Sequence, residues 1–115
     1  MKDNIIQQKS YEFASRVVKA YKYLTGEQRE FVLSKQLLRS GTSIGANVEE
    51  ALAASSTADF VHKLNIAAKE ARETSYWLRL LHDNSYLPDD AFDSIHTHNL
   101  EIIKILSSIL LSSKK

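Results

Sequence analysis

The chain of 115 residues contains no cysteine, a single proline and only three glycines. The absence of cysteine excludes disulfides and thiolate metal sites and is compatible with a reducing compartment. The scarcity of proline and glycine leaves too little punctuation for many short strands. There is also no strong charge of one sign, since fifteen Lys/Arg stand against fourteen Asp/Glu for a formal net charge of +1. A molecule so balanced is, as a whole, no strong polyanion binder. The balance is uneven along the chain, with eight basic and four acidic residues in positions 1–40. No run approaches the roughly 18 apolar residues of a membrane span; the nearest, 102–111, is interrupted by Lys104, Ser107 and Ser108. The opening MKDNIIQQKSYEF lacks the apolar run of a signal peptide. These absences together predict a soluble cytoplasmic protein with no membrane contact, folded as one domain over 1–115 around one core.

What the chain does have is helical periodicity, most clearly over 27–54. At 100° per residue, Leu33, Leu37, Ser40, Ile44, Val48 and Ala51 fall on one arc that predicts a core face. A second arc, displaced by roughly 120° on the same wheel, carries Gln36, Arg39, Ser43, Asn47 and Glu50. Side chains aligned in this way can share hydrogen bonds, although solvated charge is the blander reading of Arg39, Asn47 and Glu50. Gly41, Thr42, Gly45 and Ala46 lie between the stripes, and their small side chains allow another backbone to approach. A glycine inside a helix costs about 1 kcal/mol relative to alanine, so packing is expected to compensate.

The remaining periodicity predicts helices over 10–24, 57–83 and 89–112. The first presents Phe13, Ala14, Val17, Val18, Tyr21 and Leu24, and ends at Thr25-Gly26; Thr25 with Gln28 fits a capping box that opens the second. The second, from 27 to 54, would span about 42 Å at 1.5 Å per residue. Ser56 with Asp59 resembles a cap for the third, whose core face carries Phe60, Leu64, Ala67, Ala71, Ser75 and Leu78. Farther round its wheel lie Ile66, Trp77 and Leu80, with Glu70 and Glu73 beside them. Pro88, Asp89 and Asp90 open the fourth. Its seam of Phe92, Ile95, Asn99, Ile102, Leu106 and Ile109 is broadened by Ile103, Ile105, Leu110 and Leu111. Four amphipathic helices with short connections predict an all-α, up-down-up-down antiparallel four-helix bundle. So wide an apolar surface predicts a homo-oligomer in which Trp77, Ile105 and Leu111 meet another subunit.

A catalytic centre is harder to find. Paired-metal bundles need Glu-x-x-His motifs at one depth, whereas Asp59 with His62 and Asp93 with His96 fall in the first turns of antiparallel helices, at opposite ends. His96 and His98 face apart on a helix, and His82 is expected to interact with the last carbonyls of its helix. The Glu-Glu-x-x-Glu motif of helical nucleotide pyrophosphohydrolases begins at Glu49-Glu50 but meets Ala53 at the third place. No arginine has a histidine four to six residues on, as the helical toxin-system ribonucleases do. No phosphate loop, nucleophile elbow or zinc motif is present. The expectation is a chain without catalytic or metal residues, cofactor or small-molecule substrate. For nucleic acid, Lys35, Arg39, Lys63, Arg72 and Arg79 are candidate contacts to RNA or single-stranded DNA. Ion pairing with Glu50, Glu70 and Glu73 is the competing use of the same charges.

Gln36-Leu37-Leu38-Arg39-Ser40, Ser43-Ile44 and Asn47-Val48-Glu49-Glu50 resemble the core pattern of a family of bacterial four-helix bundle proteins. These include the 23S rRNA intervening-sequence proteins and the accessory variability proteins of diversity-generating retroelements. The run from Phe60 through Leu64-Asn65-Ile66-Ala67-Ala68-Lys69-Glu70-Ala71-Arg72-Glu73 to Tyr76-Trp77-Leu78 is similar to the family's second pattern, and the likeness covers about 11–110. Ala51 stands where many members have glycine, and Lys69-Glu70 where many have Gly-Ser, which marks a separate branch. The resemblance implies a closed homopentamer around a central channel and no known enzymatic activity. The retroelement relatives bind nucleic acid and a reverse transcriptase but are much more basic than this chain. On this reading Gln36, Arg39, Ser43, Asn47, Glu50, Lys69 and Glu73 fix helix register or subunit contacts in a non-enzymatic scaffold. The alternative is a nucleic-acid accessory factor.

Overall fold

A computed structural model describes residues 4–113. The Lys114-Lys115 tail and the first three residues of the opening stretch lie outside the described residues. Every element in that range is helical: α1 (Ile5–Gly26), α2 (Leu33–Leu52), α3 (Thr57–Asp83) and α4 (Asp89–Ser113). Each helix packs on the next and α4 returns to α1, while α1 and α3, like α2 and α4, do not meet. Successive helices run in opposite directions. Gln7 near the start of α1 bonds Glu49 near the end of α2, Ser40 lies against Thr74, Ser75 against His96, and Lys9 against Glu101. The fully buried Phe13, Val17, Leu37, Ile44, Leu64, Leu78, Ile102 and Leu106 fill the centre of this ring.

Three helices, α1, α2 and α4, have bounds that differ from the periodicity reading. Helix α1 opens at Ile5 rather than 10, because Ile6 and Ser10 are both buried and so extend the inward stripe by more than one turn. Helix α2 is shorter at both ends, 20 residues or about 30 Å, since Glu27 to Val32 form an irregular connection. Arg29 adopts a left-handed φ of 56° there. The expected capping box is not formed: the Thr25 hydroxyl donates to the Tyr21 carbonyl at 2.9 Å, and Gln28 donates to the Tyr23 hydroxyl at 2.7 Å. Glu30 caps α2 instead, its carboxylate accepting from the backbone N–H groups of Val32, Leu33 and Ser34 at 3.1, 2.9 and 2.6 Å. Burial raises its affinity for a proton, but the three N–H bonds outweigh it and hold the carboxyl below the usual carboxylate range. At the other end the helix stops at Leu52, where Ala53 leaves helical geometry. Helix α4 runs one residue past the expected end, to Ser113.

The cap on α3 forms through Ser56, whose hydroxyl accepts from the Asp59 N–H at 3.1 Å. The small residues of α2 meet α1 at close range. A Cβ on Gly41 would lie 2.8 and 2.9 Å from the two Val17 methyls, and one on Gly45 would lie 3.3 Å from the Ser10 carbonyl oxygen. These two absent side chains set the α1–α2 spacing.

Candidate assembly surface: the polar seam between α2 and α3

The stripe of α2 lies along the solvent edge of its contact with α3. Arg39 is the hub of this seam. Its Nε donates to Gln36 Oε1 at 3.2 Å, one terminal nitrogen donates to Glu70 Oε1 at 3.3 Å, and the other pairs with Glu73 Oε2. The same Glu73 oxygen accepts from the Trp77 indole N–H at 2.9 Å, so the arginine, the carboxylate and the indole form one chain of contacts across two helices. Arg39 is 47% exposed, and an ion pair at that exposure contributes at most about 1 kcal/mol. The seam therefore fixes side-chain geometry more than it stabilises the fold.

The rest of the stripe bonds within α2. Ser43 donates to the Arg39 carbonyl at 2.8 Å, and the Asn47 amide donates to the Ser43 carbonyl at 2.9 Å. The side-chain oxygen of Asn47 accepts no hydrogen bond among the described residues. Glu50 and Lys69 are exposed and join no ion pair among the described residues. Of the three apolar contacts expected at a subunit boundary, Trp77 and Ile105 are half-buried against the core, whereas Leu111 is 69% exposed.

The basic candidates do not form one surface. Lys63 and Arg72 are nine positions apart and so point about 180° apart on α3. Lys63 is half-buried, while Arg72 and Arg79 are exposed. Lys35 is exposed on α2, but Arg39 faces two carboxylates, so its charge is already compensated.

The histidines tie helices together. His82 does not bond the last carbonyls of α3: its Nε2 lies 2.8 Å from Asp89 Oδ1, and its ring stacks on Phe92 at 4.2 Å. The hydrogen bond to Asp89 raises its affinity for a proton. Phe92 stacks in turn on His96 at 4.8 Å, whose Nε2 lies 2.8 Å from Ser75 Oγ. Burial, with Arg79 nearby, favours the neutral form of His96, and burial with Arg16 does the same for His98. Arg16 spans from α1 to α4, donating to Ser94 Oγ at 2.7 Å and lying 3.2 Å from His98 Nδ1. Helical periodicity carries no signal for partners 78 and 82 positions away from Arg16.

The family model described as 23S rRNA-intervening sequence protein matches residues 2–108. Among solved structures, the chain is similar to a protein of unknown function from the S23 ribosomal protein family of Bacteroides thetaiotaomicron VPI-5482, determined at 1.70 Å resolution. The two share 57% identity and superpose with a TM-score of 0.93, over 96% of this chain and 98% of the other. No curated protein matches the chain significantly.

Proposed function

The chain belongs to the 23S rRNA-intervening sequence protein family, and from that premise we propose that it is a non-enzymatic homo-oligomeric scaffold of the cytoplasm, assembled as a closed pentamer. The observation that supports this reading is apolar surface left uncovered on α4. Leu100 and Leu111 are 48% and 69% exposed and, eleven positions apart, lie within about 20° of each other on one strip of the helix. Exposed apolar side chains aligned on one helix face suit packing against a second helix, with the exposed Lys104 and Ser107 between them on the same strip. The α2–α3 seam supplies the complementary polar part, with Asn47 and Glu50 available to fix the register of a neighbour and Arg39, Glu73 and Trp77 bonded in a chain on the same seam. Light scattering on the eluted protein at micromolar concentration tests it. Five chains of 13.0 kDa should give about 65 kDa, and the doubly charged variant L100E/L111E should give a smaller mass. A 13.0 kDa particle from the unmodified chain overturns the proposal.

A second reading, binding of RNA or single-stranded DNA, is favoured by Arg72 and Arg79, both exposed and within about 20° of each other on α3. Binding that weakens steeply with salt supports it, and no binding at about 50 mM salt removes it.

A further inference from the structure

The four seams of the bundle are not alike, and the one between α1 and α4 is the most open. Toward the end of the bundle where α1 finishes and α4 begins, it widens into a groove of about 440 Å³. Its lining is mostly apolar, with the small Ala20 of α1 and Ala91 of α4 leaving room above the buried Leu87 and Ile95. Its α1 wall carries Arg16 and Lys19, and Tyr23 closes one end. Among the described residues no carboxylate lines it. The polar groups are held in place. Arg16 is fixed by Ser94 and His98, and the Tyr23 hydroxyl accepts from Gln28 at 2.7 Å, leaving its own proton to donate. Lys19 is exposed and joins no salt bridge among the described residues.

We propose that the α1–α4 groove binds a small, free amphipathic carboxylate, with its apolar body on the Ala20–Ala91 floor and its anionic head against Lys19 and Arg16. The volume falls in the range of small-molecule sites, which combine an apolar lining with a few polar groups that fix orientation. Arg16 and Tyr23 are seven positions apart, about 10 Å along the helix, which sets the length of the apolar body. Two cations on one wall, with no acid beside them in the lining, set the sign of the head group.

The test uses the full chain with 8-anilinonaphthalene-1-sulfonate as a fluorescent probe and decanoate, below its micellar concentration, as competitor. Saturable probe binding displaced by decanoate is expected, with 1-decanol at least tenfold weaker. The Lys19→Glu variant should weaken decanoate at least tenfold. Ala91→Trp, which fills the floor, should abolish displacement, while Ala58→Ser, at an exposed position at the far end of the bundle, should leave it unchanged. Circular dichroism establishes that each variant is helical, and Ala20→Leu replaces Ala91→Trp if the latter does not fold. Equal competition by decanol, or unchanged displacement in Lys19→Glu or the filled variant, overturns the proposal. So does a fall in assembled mass on filling the groove, which would assign it to a neighbouring copy.

Discussion

Replacing Glu30 with alanine removes the acceptor for three backbone N–H groups at once. Two of them, on Val32 and Leu33, open a helix at the surface and can turn to water. The third belongs to Ser34, which is fully buried and bonds Glu30 Oε1 at 2.6 Å, so its N–H is left without a partner. Losing a helix cap costs about 0.5–2 kcal/mol, and orphaning a buried donor costs about 1–3 kcal/mol. The two overlap, and a total of about 2–3 kcal/mol follows. For a chain of this size that lowers the melting temperature by roughly 10 °C. Thermal and urea unfolding should be compared at one protomer concentration, because assembly shifts apparent stability. Glu27→Ala, at an exposed position in the same connection, is the control and should stay within about 0.5 kcal/mol.

The pH dependence separates the cap's charge from its shape. The folded carboxyl has a lower affinity for protons than the unfolded one, so its ionic contribution is complete above the ordinary value of 4.5 and is lost as pH falls through the folded value. The difference in stability between the native chain and Glu30→Gln should therefore be constant near neutrality and shrink in acid. A Glu30→Ala loss below about 0.5 kcal/mol, or a Gln difference that does not change in acid, refutes the assignment of Glu30 as the cap.

Two further substitutions probe the core. Gly41→Ala gains helix propensity of about 1 kcal/mol but drives a methyl to 2.8 Å from a fully buried Val17. A net loss of about 1–3 kcal/mol is expected, with most of it recovered when Val17→Ala is added, and an additive double-mutant cycle would contradict the contact. Asn99 is fully buried, donating to the Ala71 carbonyl at 2.8 Å while its side-chain oxygen has no partner among the described residues. Removing that oxygen's desolvation penalty offsets the lost bond, so Asn99→Leu should unfold at equal or higher denaturant concentration, and a loss above about 2 kcal/mol would show the amide to be satisfied in solution.

How much of this was legible in the sequence depends on the range of the interaction. The inward arcs of the helices follow from the 3.6-residue period, and Ile44, Val48, Leu64 and Leu78 are all fully buried. The glycines of α2 announced a close approach, although not that Val17 and Ser10 make it. The α1–α2 connection misled, because Thr25 and Gln28 have the spacing of a capping box while Glu30, a residue seldom chosen as a cap, does the capping through a backbone turn at Arg29 that no pattern encodes. Val18 has the periodicity of a core residue yet is 38% exposed, because a helix with two neighbours cannot bury a stripe that wide. The α3–α4 tie through Ser75 and His96 was not visible, since Ser75 falls on the core face of its helix and His96 beside Asp93 in the first turns of the next, and neither position names the other until the two helices are placed together.

The same distinction separates the seams. Between α2 and α3, the Arg39 cluster recurs along one helical stripe and is legible in the amino-acid sequence, because its members lie three or four positions apart on α2 and on α3. Between α1 and α4, the groove is lined by small and apolar residues of both helices with Arg16 and Lys19 on one wall, and neither helix alone carries its pattern. In the polar seam the charge of Arg39 is already spent on Glu70 and Glu73, while Glu50 joins no ion pair among the described residues. The open seam sets Arg16 and Lys19, which join no salt bridge among the described residues, over a mostly apolar lining, which is why the proposed carboxylate is assigned to that side of the bundle and not to the polar seam.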